Sequence, residues 1–370
     1  MESLKANKVL VSGASIAGLS TAYWMNKSGY QVTVVEIADV PRMGGTAVDF
    51  RGTAIDIVKR MGIFEQLTSN ALNLEMIEFK NADDITENSI RIKKDAASGD
   101  EIEIERTALI NILFNEIKND VTFIFNDSIT ALTETGDDIK ATFKNGCSKS
   151  FDLVIGCDGT HSNVRKICFG AETAYTHFLK AYFSISIINK SLIPPNTMQF
   201  YNVPGKAYML NAYKHKTDIV FCFLSEKEIP YDYRDMRQQK DIILDQFVGQ
   251  GWRTEELLEE VAHSENFYFD KFCQIKMPSW TKGRVALVGD AAYCASPAAG
   301  MGGSLAIEGA AALADALKQH NGNFELAFPE YNKKLRPLIE AVQAEAEFNA
   351  REHFIPATEE AIRRRNAAGF

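Results

Sequence analysis

Residues 8–36 read KVLVSGASIAGLSTAYWMNKSGYQVTVVE. Lys8–Ser12 is a short β-branched run of the kind that forms a buried parallel strand. GASIAG follows, and then Ile16, Leu19, Ala22, Tyr23 and Asn26 recur at helical spacing up to Gly29, a C-terminal helix stop. Gln31–Glu36 is a second strand ending on an acid. This βαβ unit presents backbone amides at a helix N-terminus for a pyrophosphate, and a carboxylate placed to accept both hydroxyls of an adenosine ribose. Gly13 and Gly18 keep the outer glycines of the fingerprint, and Ser15 stands where the middle glycine is expected. Serine is the smallest replacement that carries a Cβ, so a pyrophosphate still has room, with the hydroxyl as a further donor. Like-charge repulsion at Glu36 disfavours a 2′-phosphate, so the nucleotide expected here is NAD or FAD and not NADP.

Two further turns of the same kind lie downstream. FDLVIGCDGTHSNVRK (Phe151–Lys166) is a strand ending in Cys157-Asp158-Gly159 before a helix start. RVALVGDAAYCASPAAGMGGSLAIEGAAALADAL (Arg284–Leu317) is a strand ending in Gly289-Asp290, followed by Pro297, a glycine cluster and an Ala/Leu-rich helix. A dinucleotide turn, a mid-chain Asp-Gly and a late Gly-Asp in this order resemble the class A FAD-dependent monooxygenases, the aromatic hydroxylase family, over residues 8 to about 320. The resemblance implies a Rossmann-like FAD-binding domain with a parallel sheet, an inserted antiparallel-sheet substrate domain and a C-terminal helix. It also implies that both glycine turns hold one FAD from its two ends. Gly13, Ser15, Ile16, Ala17 and Gly18 would cradle the pyrophosphate, with Glu36 on the ribose and Asp290, after Gly289, near the ribityl and phosphate part. Beyond Pro297, the backbone amides of Gly300, Met301, Gly302 and Gly303 would open a helix aimed at the flavin edge that gains negative charge on reduction. Asp158 matches the family's Asp-Gly element, and Arg106 in IEIERTALINIL matches an arginine that contacts FAD. PRMGGTAVDFRGTAIDIVKRMGI (Pro41–Ile63) is similar to the loop passing the flavin ring in the tetracycline-inactivating branch, which implies Asp49 and Arg51 beside the isoalloxazine.

Composition excludes several other classes. The chain has 370 residues, 46% of them apolar, and a formal net charge of −9, which gives no electrostatic footprint for nucleic acid. The six cysteines show no paired spacing and read as small buried residues of a reducing compartment. The histidines are scattered, so no metal site is expected. The longest uncharged stretch, Ala291–Ile307, carries Pro297 and glycines and reads as a loop and helix start, not a membrane span. A monomeric cytoplasmic protein is the expectation, with the RRR run at Arg363–Arg365 as a solvated helix end.

Between Ala171 and Phe272, alternating runs such as YFSISIINKS, TMQFYNV, AYMLNAY and DIVFCFLSE read as antiparallel strands. In the family such a sheet roofs the flavin. One face is expected to carry Gln199, Tyr201, Met209, Asn211, Phe221 and Phe223, with Gln199, Phe221 and Met209 as substrate neighbours. Lys80–Glu101 reads as strands with exposed turns at that sheet's edge. Phe328–Pro356 reads as helix broken at Pro337 and resembles the bridging helix of the tetracycline-inactivating branch. The expected organisation is a discontinuous FAD domain (1–72, 104–170, 273–320), a substrate domain (73–103, 171–272) and a helical tail (321–370).

No acid/base pair or Ser/His/Asp set stands out, which suits a reaction whose chemistry belongs to a cofactor. The resemblance implies transfer of one oxygen atom from O2 to an electron-rich aromatic or enol, with NADPH or NADH as a transient reductant lacking its own domain. A tetracycline is the leading substrate. An FAD-dependent dehydrogenase without oxygen insertion, a hydroxylase of another aromatic polyketide and a ligand-sequestering protein with a decayed flavin site stay open at this point. A flavin halogenase would need a W-x-W-x-I-P segment, and Trp24, Trp252 and Trp280 are isolated.

Overall fold

The computed structural model describes residues 7–41, 44–92 and 101–369. The Lys8–Ser12 run pairs in parallel with Gln31–Val35 on one side and with Leu153–Gly156 on the other. Val285–Leu287 and Thr122–Ile124 extend this parallel sheet, and Thr281–Lys282 closes one edge antiparallel, giving six strands. Register fixes where the turns emerge. Ser12 lies opposite both Val35 and Gly156, and Gly156 lies opposite Leu287. The three glycine turns therefore leave the sheet side by side from the carboxyl ends of their strands, the edge where open α/β sheets bind ligands. The buried Ile16–Lys27 and Gly302–Gln319 helices pack against each other over this sheet.

A seven-stranded sheet holds the alternating runs, in the order Phe267–Ile275, Thr176–Ile188, Lys216–Leu224, Lys206–Tyr213, Thr197–Val203, Met76–Lys80, Thr86–Arg91. All its pairs are antiparallel except Thr197–Val203 with Met76–Lys80. Within the Lys80–Glu101 region, Thr86–Arg91 forms the sheet's edge strand, while residues 93–100 of that stretch lie outside the described ones. A two-stranded ribbon, Val48–Arg51 with Glu101–Ile104, lies against the Gly302–Gln319 helix. A small three-stranded sheet covers Ile129–Phe151.

Register also corrects the expected common face of the large sheet. Tyr201 pairs with Tyr208 and Tyr208 with Phe221, while Phe200 pairs with Met209 and Met209 with Val220. Laterally paired residues point the same way, so Gln199, Tyr201, Phe221 and Phe223 share one face and Met209 and Asn211 the other. The Phe221 face is buried under the Met236–Phe247 and Thr254–His263 helices. There Phe221 meets Phe247 at 4.6 Å between ring centroids, and the Gln199 amide donates to Glu78 Oε2 at 2.7 Å. Gln199 and Phe221 are core residues. Only Met209 stands on the other face, packed against an apolar cluster that includes Phe183, Val220, Cys222 and Ala298.

Three other expectations need correction. The tail helix runs unbroken from Phe324 to Asn349 through Pro329 and Pro337. Both prolines face solvent, where freed carbonyls find water, while Tyr331, Leu335, Ile339 and Val342 bury the opposite stripe. Of the RRR run, Arg363 and Arg364 are exposed, but Arg365 is buried over the rings of Phe79 and Phe200, with Nη1 donating to His353 O at 2.7 Å. Desolvation lowers its pKa to about 10. Of the cysteines, Cys157, Cys222, Cys273 and Cys294 are buried, Cys168 is half-buried and Cys147 is exposed.

Candidate functional site

The first turn is held by its own strand ends. Gly13 N donates to Val35 O at 2.8 Å with φ +102°, and a Cβ there would stand 2.5 Å from Cys157 O. A Cβ on Gly18 would stand 1.8 Å from Gly13 O, so the third glycine serves close helix–turn packing. Glu36 closes the turn from below. It is buried, with Oε2 accepting from Ala14 N at 2.7 Å and Oε1 from Ala38 N at 3.0 Å. Ser15 precedes the Ile16–Lys27 helix without capping it. Its hydroxyl instead accepts from Arg106 Nη2 at 2.7 Å, while Arg106 Nη1 donates to Gly44 O at 2.5 Å. The departure from glycine at 15 is thereby matched to an arginine 91 residues away.

The late turn touches the first. Gly289 has φ +67°, and a Cβ there would stand 2.9 Å from Ala17 Cβ. Asp290 is exposed at the head of the Asp290–Tyr293 helix. Desolvation by the protein around it raises its carboxyl pKa, and the Arg106 charge pulls the other way. Pro297–Ala299 forms one 3₁₀ turn, Gly300 follows in the left-handed region at φ +62°, and Met301 leads into the 18-residue Gly302–Gln319 helix, whose N-terminus no side chain caps. Gly303 presses on Val48, where its Cβ would fall 2.0 Å from Cγ1, but nothing lies within 4 Å of a Cβ on Gly302. The ribbon carrying Asp49 and Arg51 flanks this helix start. Asp49 O accepts from Ser304 Oγ at 2.9 Å, and Arg51 Nη2 comes 3.2 Å from where a Gly300 Cβ would stand.

Asp158 plays a different part from the others. Its Oδ2 accepts from Asn163 N at 2.9 Å and Val164 N at 3.0 Å, and Ser162 Oγ donates to its Oδ1. The carboxylate is committed to the N-terminus of the Asn163–Phe169 helix, so what the middle turn offers the cleft is the open backbone at Gly159. Sequence reading missed His161 beside it. Its Nδ1 lies 2.9 Å from Glu172 Oε1 and its Nε2 3.4 Å from Asp270 Oδ2 on the large sheet. Asp270 and Glu172 raise the imidazole from 6.5 to about 9. For Glu172, burial raises the carboxyl, but His161 and Lys166 outweigh it and take it from 4.5 down to about 2. A raised histidine stabilises fully below pH 6.5 and loses that contribution as pH climbs through 9. A depressed carboxyl stabilises above pH 4.5 and fades as pH falls through 2. The melting-temperature gap between wild type and His161→Gln should therefore be widest between pH 4.5 and 6.5 and close toward pH 9. A gap that grows toward pH 9 would refute this.

Two uncapped helix starts and an open glycine make a cradle for an anionic, elongated ligand. Comparison with known proteins decides which. The family model for the FAD binding domain matches residues 6–342. A flavin-dependent monooxygenase from an unidentified prokaryote is 37% identical over 339 residues, covering 91% of this chain and 88% of its own. The chain belongs to the flavin-dependent monooxygenase family. Among solved structures, the tetracycline destructases Tet(51) and Tet(55) each superpose with a TM-score of 0.87 over 98% of this chain. They are 36% and 34% identical to it, with 95% and 94% of their own chains covered. The residues of this flavin-dependent monooxygenase fit FAD: the Gly13–Gly18 turn suits a pyrophosphate, and the open Gly302 leaves space at the other helix start.

Proposed function

We propose that this monooxygenase hydroxylates a polycyclic or aromatic phenol or enol, with a tetracycline as the first candidate, using NADPH or NADH as a transient reductant. The observation that carries the reading is the apolar face of the large sheet set against the FAD cradle. Ala298, between Pro297 and the Gly300–Gly303 amides, shares one apolar cluster with Phe183, Val220 and Cys222, against which half-buried Met209, Ile185 and Leu224 pack. Likeness to the two tetracycline destructases supports the substrate class. When bound, FAD supplies the electron transfer and oxygen activation.

The chain's residues bind, orient and keep the site dry. Gly13, Ser15, Ile16, Ala17 and Gly18 would receive the pyrophosphate with Arg106 at its flank, Glu36 would stand at the adenosine ribose, and Asp290 would face the ribityl part. Gly300, Met301, Gly302 and Gly303 would offer backbone amides to negative charge at the flavin end, with Asp49 and Arg51 at its side. We assign the FAD domain to 1–72, 104–170 and 273–320, the substrate domain to 73–103 and 171–272, and the bridging tail to 321–370.

The test is loss of tetracycline absorbance in air with the protein, FAD and NADPH. Met209→Ala should raise KM for the drug by about fivefold, as expected for the loss of one half-buried apolar contact, with FAD affinity unchanged. Intact drug across a tetracycline panel would remove that substrate class.

A further inference from the structure

We propose that Glu105 is a positioning residue through which the large sheet sets the FAD clamp. Glu105 immediately precedes Arg106 at the start of the Arg106–Ile117 helix, and Leu109 N donates to its carbonyl at 3.1 Å. A carboxylate at a helix start is drawn toward the free amides by the positive end of the helix dipole. Here no side chain caps the helix. The Glu105 carboxylate reaches away, to Lys214 Nζ at 3.2 Å through Oε2 and to Lys216 Nζ through Oε1.

Both lysines belong to the hairpin that joins Lys206–Tyr213 to Lys216–Leu224. Those two strands carry Met209 and Val220, which lie in or against the apolar cluster that includes Ala298. The hairpin end is firm, since Tyr213 Oη donates to the buried Asp218 Oδ1 at 2.9 Å. Glu105 is 8% exposed. Burial raises its carboxyl, but Lys216 and Lys214 outweigh that and hold it below the ordinary value. A carboxylate this enclosed takes other donors when the lysines are removed. Without the lysines it would turn back to its own helix amides, shifting the backbone from which Arg106 reaches Ser15 and Gly44. The ion pair thus fixes the rotation of the helix start, and with it the guanidinium between the two FAD-binding segments.

The inference rests on FAD occupying the described cradle and not on the identity of the substrate. Its test is the Kd for FAD of the FAD-free protein, read by quenching of flavin fluorescence. K214M/K216M, altered on the substrate sheet and not at the cradle, should weaken FAD about fivefold, the upper range for a partly exposed ion pair. E105Q should match it, and the triple variant should be no weaker than either. K214R/K216R should restore wild-type binding, and the melting temperatures of the FAD-free lysine variants should stay together. Wild-type affinity in K214M/K216M, additive losses in the triple variant, or losses that track melting temperature would each overturn the proposal. Absence of FAD binding by wild type would instead overturn the assignment of the cradle.

Discussion

Gly302→Val is expected to leave the FAD-free protein folded and to weaken FAD binding by about a hundredfold. Gly302 is the first residue of the Gly302–Gln319 helix, is exposed, and has no atom within 4 Å of the place a Cβ would take. Its φ is not positive, so a side chain costs the backbone little. Gly18 and Gly303, by contrast, are compressed by protein: a Cβ on Gly18 would stand 1.8 Å from Gly13 O, and one on Gly303 2.0 Å from Val48. Those positions need glycine to fold. Gly302 needs it only if another molecule lies against the helix start. A branched side chain there would cover the first amides and push the ligand off them, a loss of roughly 2–3 kcal/mol. Fluorescence titration and thermal melting of the FAD-free protein separate binding from folding. Unchanged affinity would mean that FAD does not approach this helix.

Arg165→Met is expected to destabilise the protein by about 3 kcal/mol and to lower its melting temperature by roughly 5 °C. Arg165 is 0% exposed. Its Nη1 donates to Ala291 O at 2.8 Å and its Nη2 to Thr160 O at 2.5 Å. One guanidinium therefore joins the middle turn to the late one, with Glu172 3.8 Å away as its counter-charge. Desolvation lowers its pKa, and the Glu172 and Asp158 charges oppose that. Methionine fills much of the volume but takes the guanidinium donor from the buried Ala291 carbonyl and the half-buried Thr160 carbonyl. Urea and thermal unfolding measure the cost. A loss below about 1 kcal/mol would mean water replaces the guanidinium and the turns do not depend on it.

The three turns were legible because each combines signals that act locally: a short β-branched run, a glycine where the backbone must turn, and a helical pattern at once after it. Their convergence was legible only through the family resemblance, since strand order is a tertiary property. The facing of the large sheet was not legible. Alternation shows that a strand has two sides, but with apolar residues on both it does not say which side meets helices and which meets the cradle. Gln199 and Phe221 fell to the helix side for that reason, and Met209 to the other. The proline rule failed at Pro337 because the apolar stripe on the opposite face holds the helix together, and the charge rule failed at Arg365 because that side chain is buried. Pairings such as Glu105 with Lys214 and Lys216, 109 and 111 residues apart, leave no local trace.

The most direct measurement is mass spectrometry of tetracycline incubated with the protein, FAD and NADPH under ¹⁸O₂. The account predicts a product carrying one labelled oxygen atom, absent without NADPH and absent with Gly302→Val at FAD concentrations that saturate only wild type. NADPH consumed with the drug recovered unlabelled would contradict oxygen transfer to this substrate.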